Sequence, residues 1–138
     1  MAMGRYRLLR VVDGRCNFAE VTVRAADSGL ASRACASAEL QSAHRVPQVW
    51  VEAAVQGAAA ALGRRPAELA GVEVTSVVGS DVDTLPATVW CAAFCAVLIA
   101  AGRSPGDDPK ALISTSGGRL GVVLSSAETV YPPSEPER

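Results

Sequence analysis

The chain has 138 residues, which is the size of one ordinary domain with a sizeable core. Its hydrophobic content of 49% excludes a disordered chain, and its net charge of -1 excludes a general electrostatic attraction for nucleic acid. Aromatic residues make up only 4%, so we expect a core of Ala, Val and Leu without a large aromatic pocket. Basic residues are almost all Arg, with Lys110 the single lysine, and Ala and Gly are abundant, which is typical of a GC-rich genome such as an actinobacterial one.

Two strands are predicted at the start of the chain, over residues 6–12 and 18–25. Asp13-Gly14 lies between them, and this pair favours the tight turn of a β-hairpin. Small apolar residues alternate with polar ones in the second strand. One face of this sheet is therefore expected in the core and the other in water.

The middle of the chain is predicted to contain one clear helix. Residues 27–45 have no clean apolar stripe and are expected to form a loop with helical turns. Residues 47–62 have an apolar and a polar face at helical spacing, with Pro47 suited to the first turn and Gly63 to the end.

A strand over 71–78, with Val78 on its apolar face, and a second long helix from Leu85 to Ala101 follow. The helix is uncharged and close to the shortest length that spans a bilayer, but its Pro, Thr and alanines make it weakly apolar for lipid. We expect it to be buried in the core or in a homo-oligomer interface, and we predict no membrane contact.

The C-terminal part is predicted to complete the domain and then to fray. Residues 111–124 are expected to contain one or two short strands. Residues 128–138 have the composition of a flexible acidic tail. A single domain over 1–127 is therefore expected.

Asp81 and Asp83 stand just before the second long helix and are the first candidates for chemistry. Carboxylate oxygens are ligands for Mg²⁺ or Ca²⁺, but the further ligands of a calcium loop are absent, and no metal site is predicted. In the structural interpretation, Thr84 caps the helix and Pro86 occupies its first turn. His44 is the single histidine and, with the two aspartates, a candidate for acid-base catalysis.

The four cysteines form no C-x-x-C pair and have no histidines at zinc-ligand spacing. They are expected to be reduced thiols of a cytoplasmic protein. Cys91 and Cys95 stand four residues apart on one helix face, in an apolar sequence that offers no base to form a thiolate. We interpret these two as packing residues.

Two longer segments have a residue pattern that also occurs in a known protein family. They are VPQVWVEAAVQGAAAAL and GVEVTSVVGSDVDTLPATVWCAAFCAVLIA. The first combines a proline, an aromatic residue and a β-branched residue with Ala and Gly, at Pro47, Trp50, Val51, Ala53 and Gly57. The second opens its helix with Asp81-Val82-Asp83-Thr84. Together they resemble a helix and a strand, loop and helix of domain IV of bacterial elongation factor G and of the related ribosomal protection factors.

The resemblance implies an α+β fold, a two-layer sandwich in which one sheet of about four strands packs against two long helices, with a left-handed β-α-β crossover. In elongation factors this domain reaches the decoding region of the small ribosomal subunit through its loop tips. Ser80 departs from the family, which commonly has a histidine there, and we expect no GTPase domain to accompany this unit. A stand-alone, non-GTPase domain with a changed tip is implied.

The first hypothesis for function follows from this resemblance. The chain binds a macromolecular partner, the ribosome or a structured RNA, through loops at 27–45 and 79–83. The predicted contact residues are Arg45, Gly79, Ser80 and Asp81.

Two other hypotheses stay open. In one, the chain is a small cofactor-independent enzyme of the cyclase or isomerase type, which acts on a small-molecule ligand through His44, Asp81 and Asp83. In the other, it is a homo-oligomer formed through the helix from Leu85 to Ala101. No cofactor is predicted, and the residues do not decide whether the chain is an enzyme.

Overall fold

The structure has an α+β fold. It is a computed structural model that describes residues 3–25, 33–43, 45–64, 71–102, 112–115, 118–125 and 128–133. The elements follow in the order β1 (Met3–Val12), β2 (Arg15–Ala25), β3 (Ala34–Ala36), α1 (Ala38–Gln41), α2 (Gln48–Leu62), β4 (Val72–Val78), α3 (Pro86–Ala100), β5 (Ile113–Ser114), β6 (Gly121–Ser125) and β7 (Glu128–Val130). The predicted α+β class is confirmed, although β5, β6 and β7 form a second sheet.

β1 and β2 form the hairpin that the sequence predicts. They pair antiparallel over their whole length, beginning with Met3 opposite Arg24. Asp13 and Gly14 in the turn both have positive φ, 51° and 77°, as in the two-residue turn whose twist matches that of the strands. Odd-numbered residues of β1 are exposed and even-numbered ones are buried or half-buried, so one face of the hairpin is open.

The first sheet is mixed and has the strand order β1-β2-β4-β3. β4 runs antiparallel to β2 and parallel to β3. α1 and α2 connect the two parallel strands, so β3, α2 and β4 form a β-α-β unit. β3 and α1 lie within 27–45, which the sequence predicts to be a loop with helical turns, and residues 26–32 and His44 lie outside the described residues.

A β-bulge in β4 changes which of its residues face the core. The pairing with β2 shifts between Thr22 and Val23, which leaves Thr75 as the extra residue. The alternation of β4 is reversed beyond the bulge, so that Val77 is 5% exposed and Val78 is 45% exposed. The predicted position of Val78 on the apolar face is wrong for this reason.

α2 and α3 each have fifteen residues and cover one face of the first sheet. α3 lies on β1 and β2, and α2 lies beside α3 and over β3 and β4. Glycine allows this close packing, because a side chain on Gly57 would collide with the backbone of Trp90, and a side chain on Gly4 with the backbone of Ala96. The sheet and the two helices form an α/β sandwich.

α3 is buried on nearly all sides, as its apolar sequence predicts. Its residues from Thr88 to Leu98 are all buried, among them Phe94, which has no exposed surface. β1, β2, α2 and β6 all contact the helix. Since so little of it reaches solvent, the predicted homo-oligomer through Leu85 to Ala101 is not supported. In the described part of the chain, no helix combines the length and apolarity needed to cross a membrane.

β5, β6 and β7 pair antiparallel in the second sheet. Leu120 and Val122 from this part of the chain are buried in the same core as α3. Glu128 on β7 forms an ion pair with Arg64, which follows α2. Residues 128–130 of the segment that the sequence predicts to be a flexible tail form a strand, and residues 134–138 lie outside the described part.

Candidate functional site

The connection from β4 to α3 is a compact loop over residues 79–84, which we name the tip loop. The Ser80 N–H donates to Thr84 Oγ1 (2.8 Å), and the Thr84 N–H donates to the Ser80 carbonyl (3.1 Å). The Asp83 N–H donates to Ser80 Oγ (3.0 Å). These three bonds close the loop on itself and leave Ser80 half-buried.

Thr84 also fastens the tip loop to β2. Its hydroxyl donates to the Phe18 carbonyl (2.6 Å), and the Phe18 N–H donates to the Asp83 carbonyl (2.9 Å). The N-cap of α3 is Leu85, which makes no side-chain cap bond. The predicted capping role of Thr84 is therefore wrong, because its hydroxyl donates to the Phe18 carbonyl, 66 residues away in the sequence. Pro86 at the start of α3 has no N–H, so it needs no capping partner.

The apex of the tip loop faces solvent. Val82 is 75% exposed, and Asp81 is also exposed. Arg15 of β2 donates to the Val82 carbonyl (3.4 Å) and so joins the tip loop to the hairpin turn. Gly79 has a structural role, because a Cβ there would lie 2.5 Å from Thr84 Oγ1. Asp81 is thus accessible to a partner, whereas Gly79 serves to close the loop.

Arg45 lies in the connection between α1 and α2 and is exposed. α2 begins after this connection and leads back to the start of β4. β4 ends at the tip loop, and α3 begins after that loop. The first residues of α2 and α3 therefore lie toward the same end of the sheet. The hairpin turn, residues 13–15, lies at this end as well, since Arg15 bonds to the tip loop. We name the hairpin turn and the tip loop together the tip.

The open face of the first sheet carries apolar side chains next to the tip. Leu9 and Val11 on β1 are 50% and 66% exposed, and Val78 on β4 is 45% exposed. Phe18 is half-buried opposite Leu9, with the Arg7 guanidinium 5.5 Å from its ring centroid. We name Leu9, Val11, Phe18 and Val78 the open-face patch. The sequence does not predict this patch, because its four apolar side chains are of the types found in a core. Only the strand register shows that they lie on the face of the sheet opposite the helices.

A cleft of about 580 Å³ lies between the hairpin turn, the start of α3 and the segments that flank the second sheet. Asn17 and Thr88 are both buried beside it, and the Thr88 hydroxyl donates to Asn17 Oδ1 (3.3 Å). Its other polar lining side chains are Asp13, Arg15 and Arg119. The sequence carries no signal for this cleft, because its walls come from four separate parts of the chain.

The candidate acid-base residues are not brought together in this cleft. Asp81 and Asp83 belong to the tip loop and do not line the cleft, and His44 lies outside the described residues. No group of three or more His, Cys, Asp and Glu side chains in the described ranges is placed to hold a metal ion. The enzyme hypothesis therefore gains no acid-base pair from the two aspartates.

Cys91 and Cys95 have no exposed surface in α3. Burial raises the pKa of the Cys91 thiol to about 12. Burial also raises the pKa of the Cys95 thiol, with a further contribution from Cys91 and an opposing one from Arg10. Both thiols are protonated at neutral pH, which confirms them as packing residues rather than nucleophiles.

No protein-family model matches this chain, and no curated protein matches it. The function is therefore inferred from the tip, the open-face patch and the cleft.

Proposed function

We propose that this chain is a cytoplasmic domain that resembles domain IV of elongation factor G and binds the ribosome, or a structured RNA, through its tip and through Arg45 at the same end of the sheet. The mixed sheet with its β3-α2-β4 unit supports the resemblance. In this proposal the β-α-β crossover is left-handed, as in the family, against the usual right-handed rule.

The observation that carries the proposal is the construction of the tip loop. Three internal hydrogen bonds and two bonds to Phe18 hold it, yet Val82 at its apex is 75% exposed. A loop that is ordered before binding loses little conformational entropy when a partner docks. Val82 is an apolar side chain that the domain itself leaves in water, and its burial by a partner lowers the free energy of the complex.

The surroundings of the tip supply both apolar and basic contacts. The open-face patch places further exposed apolar side chains on the sheet next to the tip, and exposed apolar side chains that lie together are typical of an interaction site. Arg7, Arg15 and Arg45 are exposed and are suited to phosphate contacts. Because the net charge of the chain is only -1, we expect these local arginines, and not a general field, to provide the electrostatic part of binding.

Co-sedimentation with ribosomes at low salt tests the proposal. The wild-type chain is expected to pellet with ribosomes, and Arg45→Glu is expected to pellet less. Arg33→Glu is the matched control, because Arg33 is also exposed but lies at the end of the sheet away from the tip. Arg33 directly precedes β3, and its carbonyl accepts from the Val72 N–H at the start of β4. No pelleting of the wild type, or equal losses in both variants, would reject the proposal.

A further inference from the structure

The cleft at the start of α3 is a second candidate binding surface, on the helix-covered side of the hairpin. We propose that it binds a small organic acid, a molecule with one carboxylate or phosphate group on an apolar body. Its volume of about 580 Å³ is in the range of small-molecule sites. Asp13 and Arg15 of the hairpin turn border both the tip and the cleft, but the exposed apex of the tip loop does not line the cleft. The inference does not depend on ribosome binding.

Arg15 and Arg119 supply positive charge at the cleft. Neither side chain forms an ion pair within the described ranges. Arg15 donates to the Val82 carbonyl at 3.4 Å, and the Arg119 guanidinium lies 4.3 Å from the centroid of the Tyr131 ring. Both guanidinium groups therefore keep N–H donors for a ligand, and a guanidinium can hold a carboxylate or a phosphate through two parallel hydrogen bonds.

Asp13 is the acidic side chain among the described residues that line the cleft. Gly118 leaves room for it, because a Cβ on Gly118 would lie 2.7 Å from Asp13 Oδ2. Arg15 and Arg119 carry two positive charges and Asp13 one negative charge, so the described lining has a net charge of +1. This balance favours a ligand with a single anionic group over a polyphosphate, and it allows a hydroxyl or amine of the ligand to donate to Asp13.

The buried side of the cleft adds directed polar contacts. Asn17 is 5% exposed, and its Nδ2 donates one hydrogen to the Arg15 carbonyl (3.0 Å). Its Oδ1 accepts from Thr88, which leaves the second amide hydrogen as a donor for a ligand. Ala87 and Thr88 in the first turn of α3 also line the cleft, and no acidic side chain in that turn offsets the positive end of the helix dipole.

The remaining lining explains why the expected ligand is not a bare anion. The apolar residues that line the cleft are Val12, Leu85, Ala87, Leu120, Pro132 and Pro133. They give an apolar body a surface on which to pack while its charged group lies against the arginines.

An NMR titration of the ¹⁵N-labelled full chain tests the proposal with hexanoate and phenyl phosphate as probes. Both probes are expected to move the amide signals of Asn17, Thr88 and Arg119, with little change at Arg33, which lies at the other end of the sheet. Hexylamine, which has the same chain length and the opposite charge, is expected to move none of them. Inorganic phosphate is expected to bind more weakly than phenyl phosphate, because it lacks the apolar body.

Arg119→Gln removes one guanidinium from an exposed position and is expected to weaken binding of both anions by about tenfold or more. Arg5→Gln is the matched control, because Arg5 is exposed on the open face of β1, and it is expected to bind like wild type. Ribosome pelleting of Arg119→Gln is expected to be unchanged, which separates this proposal from the function of the tip. The proposal is overturned by absent shifts at millimolar anion, by equal shifts with hexylamine, by equal affinity for inorganic phosphate, or by unchanged affinity in Arg119→Gln.

Discussion

α3 and the tip loop are neighbours in the sequence and are built in opposite ways. α3 is apolar, and its contacts with β1, β2, α2 and β6 bury nearly all of it. The tip loop buries few side chains and is held by hydrogen bonds around Ser80, Thr84 and Phe18. The hydrophobic effect thus stabilises the helix, while directed hydrogen bonds order the loop. This difference leaves the apolar side chain of Val82 free at the apex, where a partner can reach it.

The largest expected effect comes from the centre of α3. Phe94→Ala removes a ring that has no exposed surface and that packs on Trp90 with 5.3 Å between ring centroids. We expect the free energy of unfolding to fall by about 3–5 kcal/mol, because a cavity forms in a closely packed core. Val82→Ala at the exposed apex is expected to change it by less than about 0.5 kcal/mol. Guanidinium unfolding measures both values, and similar losses would contradict the contrast between the two regions.

A smaller loss is expected when the hydrogen bonds of the tip loop are broken. Thr84→Val leaves the Phe18 carbonyl and the Ser80 N–H without their partner, which should cost about 1–3 kcal/mol. Thr75→Val is the matched control, since the Thr75 hydroxyl makes a single longer bond, to the Thr22 carbonyl at 3.3 Å. Urea unfolding should show the greater loss for Thr84→Val. An equal or smaller loss would mean that the loop is ordered in another way.

A further stability effect depends on pH and concerns the thiols of α3. Burial raises the pKa of the Cys91 thiol from 9.0 to about 12. Between pH 9.0 and about 12, this thiol is therefore ionised in the unfolded chain and protonated in the folded chain. The free energy of unfolding therefore falls as pH rises through this window, by about 1.4 kcal/mol per pH unit for one thiol. Burial acts on Cys95 in the same direction. Cys91→Ala should have a shallower slope above pH 9.0, and a slope equal to that of wild type would contradict this.

Local pattern predicts the elements that have strong periodicity and clear turn residues. The β1-β2 hairpin follows from Asp13-Gly14 and the alternation beside it, and α2 follows from its apolar face between Pro47 and Gly63. The burial of α3 follows from its lack of charge. In each case the residues that decide the structure lie within the element or next to it.

The features that sequence reasoning missed depend on partners far away in the chain. Thr84 resembles a helix cap until Phe18 is known to lie beside it. The exposure of Val78 depends on the bulge at Thr75, which only the pairing with β2 reveals. The cleft likewise needs the hairpin turn, the start of α3 and Arg119 to meet. Periodicity contains no information on such contacts.

The apex of the tip loop is best tested by ribosome co-sedimentation of two charge-introducing variants. Val82→Glu places a carboxylate at the apex, and Met3→Glu places one at a side chain that is 61% exposed, at the end of β1 far from the hairpin turn. Both positions are exposed, so each variant is expected to fold with a stability within about 0.5 kcal/mol of wild type. We predict that Val82→Glu loses most of its association with ribosomes and that Met3→Glu pellets like wild type. Undiminished pelleting of Val82→Glu would contradict the assignment of the tip as the contact surface.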